Sequence, residues 1–386
     1  MRLSNASYGY FGLFLSLAMA RLGHLETLFT NLPWTRLRAL PRGSWRSQPL
    51  FAAPTVLHHM GLHRFGSRLD PVTSQWFARW VAASLRSCDV FHCFSGFGLE
   101  AFRVAHERHG ALTVVERGSS HIRFQNDILI DEHARWKVPF AGIDPWIIER
   151  EEAEYGTCDR ITVQSTFAER TFIERGVPVE KLIKLPLGVD PRIFSPAAKT
   201  DSIFRVLYAG HCSIRKGIVY LLEAVSNLKL PNFEVAINGS VSADVKELMG
   251  RYADHYRFLG LQPRDRLRHV YSQASVLVLP TIEDGFAKVV TEAMACGVPV
   301  IATTNCGARD ILDDGVEGFI VPVRDPAAIR QKILYLYENP AVREAMSRAA
   351  LAKVGSLTSS DAYGDRALAA YQRALDEKRG LRRSRG

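Results

Sequence analysis

Short runs of β-branched and aromatic residues alternate with helical stretches along most of this 386-residue chain, and that alternation leaves few folds open. Strands separated by helix-length segments pair in parallel, because each crossover must carry the chain back to its starting edge. In the first half the expected strands are a stub at Arg2–Ser4, then Glu26–Thr30, Asp89–Phe94, Leu112–Glu116, Ile161–Gln164 and Leu182–Leu185. The second half reads more clearly, as Phe204–Ala209, Phe233–Asn238, Tyr256–Leu259, Val276–Leu279, Val298–Ala302 and Phe319–Pro322. Between Pro186 and Ser202 the chain carries three prolines and no periodicity, which reads as a linker. The expectation is an α/β protein of two doubly wound Rossmann-like domains facing a central cleft. The first covers residues 1–195 and the second 196–356, with a helix at 357–378 returning toward the first domain and a basic tail at 379–386. A length of 386 residues suits two cores better than one.

Composition narrows the class. An apolar fraction of 47% against 23% charged residues excludes a disordered chain, a collagen and a coiled coil. Lys and Arg number 49 against 40 Asp and Glu, a net charge of +9, yet Lys378, Arg379, Arg382, Arg383 and Arg385 fall within the last nine residues. That cluster reads first as a solvated, frayed end and second as an attraction toward an anionic lipid surface or an acidic substrate. With no basic stripe interleaved by aromatics elsewhere, nucleic acid is not an expected partner. The six cysteines are scattered without a C-x2-C pair, so they read as small core residues of a cytoplasmic protein, with neither a zinc site nor a disulfide framework. Ser4–Ala20 is free of charge and imitates an export signal, but 17 residues of helix rise only about 25 Å, short of a roughly 30 Å hydrocarbon core. The preferred reading is the strand stub, a loop through Asn5, Ser7 and Gly9, and a buried helix that runs through Arg21 and stops at Gly23.

The most informative stretch is Thr281–Thr304, TIEDGFAKVVTEAMACGVPVIATT. It follows a strand, turns at Asp284-Gly285, and enters a helix near Ala287, where unpaired N–H groups and the helix dipole suit a phosphate. Asp284 also suits a plain N-cap, and Glu292 suits an i,i+4 pair with Lys288. A second cationic turn, Arg215-Lys216-Gly217, follows the strand Phe204–Ala209 and suits a diphosphate, or merely a solvated turn. Neither G-x4-G-K-[ST] nor a G-x-G-x-x-G after a strand is present, which removes the main support for NTPase and dehydrogenase readings.

Taken together, Asp284-Gly285-Phe286 with Glu292-Ala293-Met294-Ala295-Cys296-Gly297-Val298-Pro299-Val300, Arg215-Lys216-Gly217, Leu187-Gly188-Val189-Asp190 and Asp314-Gly315-Val316-Glu317-Gly318 resemble the retaining glycosyltransferases of family 4 and their GT-B fold. The resemblance covers roughly residues 85 to 375. It departs from the family pattern where Asp284 replaces Glu with Glu283 beside it, where Ala287 replaces Gly, and where His211 stands in place of an arginine. It implies a metal-independent transfer from a nucleotide-diphosphate sugar, used as substrate with no cofactor, to a glycan, lipid-linked or small-molecule acceptor. It implies further that Glu292 holds the ribose, Asp284 meets the donor sugar, and Arg215 and Lys216 bind the diphosphate together with the backbone of Gly285, Phe286 and Ala287. His121 is implied near the reacting carbon, and Arg117, Ser119, Ser120 and Arg123 on the acceptor side. A nucleotide-sugar 2-epimerase of the same fold and a catalytically silent nucleotide-sugar binder are the alternatives.

Overall fold

The structure, a computed structural model, describes residues 1–10, 12–59, 63–356 and 360–383. Within them the strands are β1 (Leu3–Ser7), β2 (Leu25–Thr30), β3 (Trp45–Ser47), β4 (Val90–Phe94), β5 (Leu112–Glu116), β6 (Arg160–Val163) and β7 (Leu182–Lys184), then β8 (Phe204–Ala209), β9 (Phe233–Asn238), β10 (Arg257–Gly260), β11 (Val276–Leu279), β12 (Val300–Thr303) and β13 (Gly318–Val321). The first seven form one sheet in the order β3-β2-β1-β4-β5-β6-β7, and the other six a second sheet in the order β10-β9-β8-β11-β12-β13. Each named pair in both sheets is parallel.

The apolar runs of β8 and β11, at the centre of the second sheet, are strands because both of their faces are buried. Val206, Tyr208, Val276 and Val278 enter one core layer, while Leu207, Ala209, Leu277 and Leu279 enter the other. Alternate residues thus reach opposite layers, and no polar face interrupts the pattern. No helix or strand lies between Lys184 and Phe204, in keeping with the linker reading, although Val189 and Phe194 already pack into the second sheet's core.

Two strand expectations are corrected. The first strand is no stub: it runs from Leu3 through Ser7, so Asn5 and Ser7 lie in it and not in a loop. Asn5 and Ser7 are tolerated at zero exposure because they are bonded, whereas the hydroxyl of the equally buried Ser4 has no hydrogen-bond partner among the described residues. Asn5 Nδ2 donates to Gly12 O and Ser16 Oγ, each at 2.9 Å, and Ser7 Oγ accepts from Gly12 N at 2.6 Å. The expected buried helix follows at Leu13–Arg21, and the chain turns at Gly23 with φ of 73°. The other correction is β3, a three-residue edge strand too short to carry a periodicity.

The last helix, Ser360–Arg383, lies on the first domain. Tyr363, Ala367, Ala370, Tyr371, Ala374 and Leu375 pack against Leu3, Leu15, Met19, Val90, Leu112 and Val114. Small residues allow the close approach: a Cβ on Gly364 would come within 2.8 Å of Ala18 Cβ. The solvated-tail reading fails at its first two cations. Lys378 Nζ donates to Ala111 O at 2.7 Å and Asp159 Oδ2 at 2.6 Å, and Arg379 pairs with Asp89 at 3.1 Å. These charges fasten the helix to the first sheet, while Arg385 lies outside the described residues. Lys378→Ala should therefore lower unfolding stability in urea by about 2 kcal/mol, the usual range for a hydrogen bond to a charged group. A midpoint and slope equal to those of the parent would show that the lysine is not structural.

Candidate active site

Strand β11 delivers the chain to a turn in which two neighbouring acids meet two neighbouring cations. Glu283 Oε2 accepts from Arg215 Nη1 at 3.0 Å, and Asp284 Oδ2 from Lys216 Nζ. The cations reach this point because β8 is the immediate neighbour of β11 and ends in a tight turn at Gly217, where φ is 64° and a Cβ would strike Pro280 O at 2.0 Å. Asp284 Oδ1 also accepts from Ala287 N at 3.2 Å, which closes the turn just ahead of the helix Lys288–Ala295 without capping that helix, whose N-cap is Ala287. Ala287 itself sits at φ 66°, a left-handed conformation that costs a non-glycine residue roughly 1 kcal/mol.

Glu283 and Asp284 then part company. Glu283 is fully buried and joins the two domains. It accepts from Ser119 Oγ at 2.5 Å, Ser120 N at 2.9 Å and Gln125 Nε2 at 2.8 Å, all from the first domain. Burial alone would raise its carboxyl, but Arg215 and these donors outweigh that and hold it down at about 2. Gly285 makes the same approach sterically, since a Cβ there would lie 2.4 Å from Gly118 O. The helix Ile122–Trp136 grips the second domain again near its far end. There the buried Glu132 accepts from Tyr220 Oη at 2.5 Å and from Arg324 Nε at 2.6 Å.

Between these contacts a cavity of about 360 Å³ opens at the carboxyl ends of the strands, where doubly wound sheets bind ligands. Asp284, Phe286, Ala287 and Lys288 line it from the second domain, facing Tyr10, Phe14, Phe94, Glu116, Gln164 and Tyr363. Of the residues that the resemblance assigns to the donor, Asp284, Phe286 and Ala287 line this cavity. Lys216 is held to its edge through Asp284, and Gly285 lies at the domain contact. Glu292 lies on the helix that starts at the cavity, and it pairs with Tyr271 Oη at 2.7 Å in place of an ion pair with Lys288. Burial pushes its carboxyl above the ordinary range.

The first-domain candidates are placed differently from the sequence reading. Arg117, Ser119 and Ser120 are buried in the interdomain contact; Arg117 bridges Glu151 and Gln125 at 3.0 and 2.8 Å, and only Gly118 of that loop lines the cavity. Arg123 pairs at the surface with Glu152. His121 is 3% exposed, packs its ring 5.2 Å from Tyr155 and 5.0 Å from Phe172, and accepts from Arg123 N to start its own helix. Burial pushes its ring down to about 4, so it is neutral at pH 7 and faces aromatic rings rather than the cavity. His211 meets Ser240 Oγ at 2.8 Å on the surface.

Two residues absent from the sequence reading, His92 and Glu116, complete the first-domain side. Glu116 ends β5 and lines the cavity, and His92, in the middle of the adjacent strand β4, lies buried behind it. Both side-chain protons of Asn5 Nδ2 are committed to Gly12 and Ser16, so Asn5 Oδ1 must accept, at 2.9 Å, from His92 Nδ1. That assignment leaves His92 Nε2 as an acceptor, 3.5 Å from Glu116 Oε2, and it calls for a protonated carboxyl. Burial acts the same way, pushing Glu116 up to about 7 and His92 down to about 3.

A carboxyl raised in the fold keeps its full stability below the unfolded value near 4.5 and loses it as pH climbs through about 7. The loss reaches about 3 kcal/mol above that window. Glu116→Gln, which mimics the protonated form, should therefore gain on the parent by about 2–3 kcal/mol between pH 5 and pH 8 in urea unfolding. A difference that stays constant with pH would refute the protonated carboxyl.

Residues 190–353 match the family described as glycosyl transferases group 1. A D-inositol 3-phosphate glycosyltransferase of Catenulispora acidiphila is 26% identical over 310 residues, 72% of this chain and 74% of the relative. A phosphatidyl-myo-inositol mannosyltransferase of Mycobacterium tuberculosis is 34% identical over 175 residues, 42% of this chain and 46% of the relative, so the match spans about half of that protein. Among solved structures, a sucrose-phosphate synthase of Thermosynechococcus elongatus superposes with a TM-score of 0.74 at 19% identity, over 97% of this chain and all of the other. HepE of Anabaena, solved in complex with UDP, gives 0.69 at 15% identity over 96% of this chain and all of the other. Two facing parallel-sheet domains with these neighbours are the GT-B fold, and within it the segment 190–353 of the second domain is similar to the group 1 glycosyltransferases.

Proposed function

We propose that the chain is a retaining, metal-independent glycosyltransferase that carries a sugar from a nucleotide-diphosphate donor to the hydroxyl of a glycan, lipid-linked or small-molecule acceptor. The observation that carries this reading is the pairing of Arg215 and Lys216 with Glu283 and Asp284 at the start of a helix that opens on the interdomain cavity. A diphosphate entering there exchanges one carboxylate partner of Lys216 for a phosphate oxygen, and it meets the positive helix end at Lys288. Arg215 keeps a third of its side chain exposed while bound to Glu283, so its charge is fixed in place before the ligand arrives. Charge that builds on the departing diphosphate is then met by two cations held ready, a role that in metal-dependent transferases falls to Mg2+. Loss of one such donor costs about 3 kcal/mol at the transition state.

Glu292 takes the ribose hydroxyls in this reading. Its bond to Tyr271 orients the carboxylate, and burial strengthens any hydrogen bond that it makes. Asp284, released from Lys216, faces the sugar. His121 holds the loop 117–121 against its helix, and we place it outside the reacting groups. The acceptor approaches from the first-domain wall of the cavity, past Glu116 and Gln164.

Glu292→Gln should weaken nucleotide binding at least tenfold by calorimetry with an unchanged melting temperature, and unaltered affinity would remove it from the ribose site. Lys216→Ala should cost nucleoside diphosphate at least tenfold and nucleoside less than twofold. Equal losses for both ligands would make the lysine structural. Turnover that EDTA abolishes and Mg2+ restores would contradict the metal-independent mechanism.

A further inference from the structure

The basic excess of this chain has a second location. Between Glu26 and Asp70 there are 43 residues without a single acid, and they carry Arg36, Arg38, Arg42, Arg46, Arg64 and Arg68. Leu32, Leu37 and Leu40 pin the connection between β2 and β3 to a small core with Leu28. Pinned at those three points, the connection presents the residues between them outward: Trp34 is 60% exposed, and Arg36, Arg38 and Arg42 are exposed beside it. The Arg38 guanidinium lies 5.2 Å from the centre of the Trp34 ring. Leu50, just beyond β3, is 84% exposed. Because β2 and β3 run parallel, with Thr30 opposite Ser47, Trp34 and Leu50 emerge at the same sheet edge, the carboxyl edge on which the cavity opens. None of Arg36, Arg38, Arg42 and Arg46 pairs with an acid among the described residues.

We propose that this face, built on Trp34, Leu50, Arg36, Arg38 and Arg42, docks the protein on a bilayer surface that carries anionic lipid. An exposed indole and an isobutyl group on a stapled loop gain from entering the headgroup boundary, where one end of Trp is apolar and the other wet. The arginines around them gain from phosphate headgroups, and they are already stripped of competing carboxylates. A nucleic acid would use the cations and the ring, but it would gain nothing from Leu50. Among the described residues no helix is long and apolar enough to cross a membrane, so this contact lies on the surface of the bilayer. It is distinct from the C-terminal cations, of which Lys378 and Arg379 are spent on the first sheet. The docking does not rest on the transferase reading; only its corollary does, that the cavity mouth is brought to lipid-linked acceptors.

The test is co-sedimentation of the full chain with phosphatidylcholine vesicles and with vesicles of three parts phosphatidylcholine to one part phosphatidylglycerol, at 50 and 300 mM NaCl. The parent should bind the anionic vesicles at least tenfold better than the neutral ones at low salt. Arg36→Glu with Arg38→Glu and Arg42→Glu should lose at least tenfold, and Trp34→Ser with Leu50→Ser at least threefold. The same charge reversal at the exposed Arg103, Arg170 and Arg251 should lose less than twofold. Loop variants that sediment like the parent, or a parent that ignores anionic vesicles, would overturn the proposal. So would a duplex RNA that displaces the protein from vesicles and binds equally well without Trp34 and Leu50. Nucleotide affinity measured on the same variants separates the two readings, because a failure of docking leaves it intact.

Discussion

A single carboxylate with no exposure to water, Glu283, is the point on which the relation between the two domains turns. A charge in that position is costly unless its oxygens are saturated, and here they are met by a guanidinium of its own domain and three donors of the other. Separating the domains strips the carboxylate of its Ser119, Ser120 and Gln125 partners and exposes Arg215 with it. The same acid thereby sets the closure of the cleft and the position of a cation proposed to meet the leaving group. Asp284, one residue on, stays at the cavity. Neighbouring residues of one turn point to opposite tasks because Glu283 is turned toward the first domain and Asp284 toward Lys216 and the turn at Ala287.

The first domain answers this arrangement with one rigid element. The helix Ile122–Trp136 touches the second domain near both ends, through Gln125 and through Glu132, so a tilt that closes one contact bears on the other. Beneath its start, His121 and Arg117 are committed to holding the loop 117–121 in shape. From this side Phe94 and Glu116, at the ends of β4 and β5, face the cavity with Tyr10, Phe14, Gln164 and Tyr363, and behind Glu116 lie His92 and Asn5.

How much of this was legible in the sequence follows from where each side chain's partners lie. Val276–Leu279 announced itself as a strand because both of its faces are apolar. Leu3–Ser7 did not, because Ser4, Asn5 and Ser7 are polar, and the partners that let Asn5 and Ser7 be buried lie in the following helix and turn. The sequence around Asp284 and Glu292 gave a turn followed by a helix, with Asp284 in the turn and Glu292 in the helix, since both constraints are local. Arg117, Ser119 and Ser120 were read as cavity residues because a loop at the carboxyl end of a strand does not declare which part of the facing domain it will meet. His92 stands in an apolar run with no motif around it, Glu116 ends the strand before the loop 117–121, and only the register between neighbouring strands brings the two together. The tail's charge count could not reveal Asp159 and Asp89, which lie 219 and 290 positions away.

The helix Ser360–Arg383 has a further consequence, for the order in which the molecule is made. Its Tyr363 and Tyr371 complete a core that begins at Leu3, Leu15 and Val90. That apolar surface is translated early, and its cover arrives only after the whole second domain. At about 5–20 residues per second, the roughly 170 residues between β7 and this helix take on the order of 10 to 35 s to synthesise. Throughout that interval the nascent first domain carries an unfinished face, open to chaperones and to other chains. The second domain, with its six strands contiguous in sequence, can close its own sheet first and then present the last helix to the waiting surface.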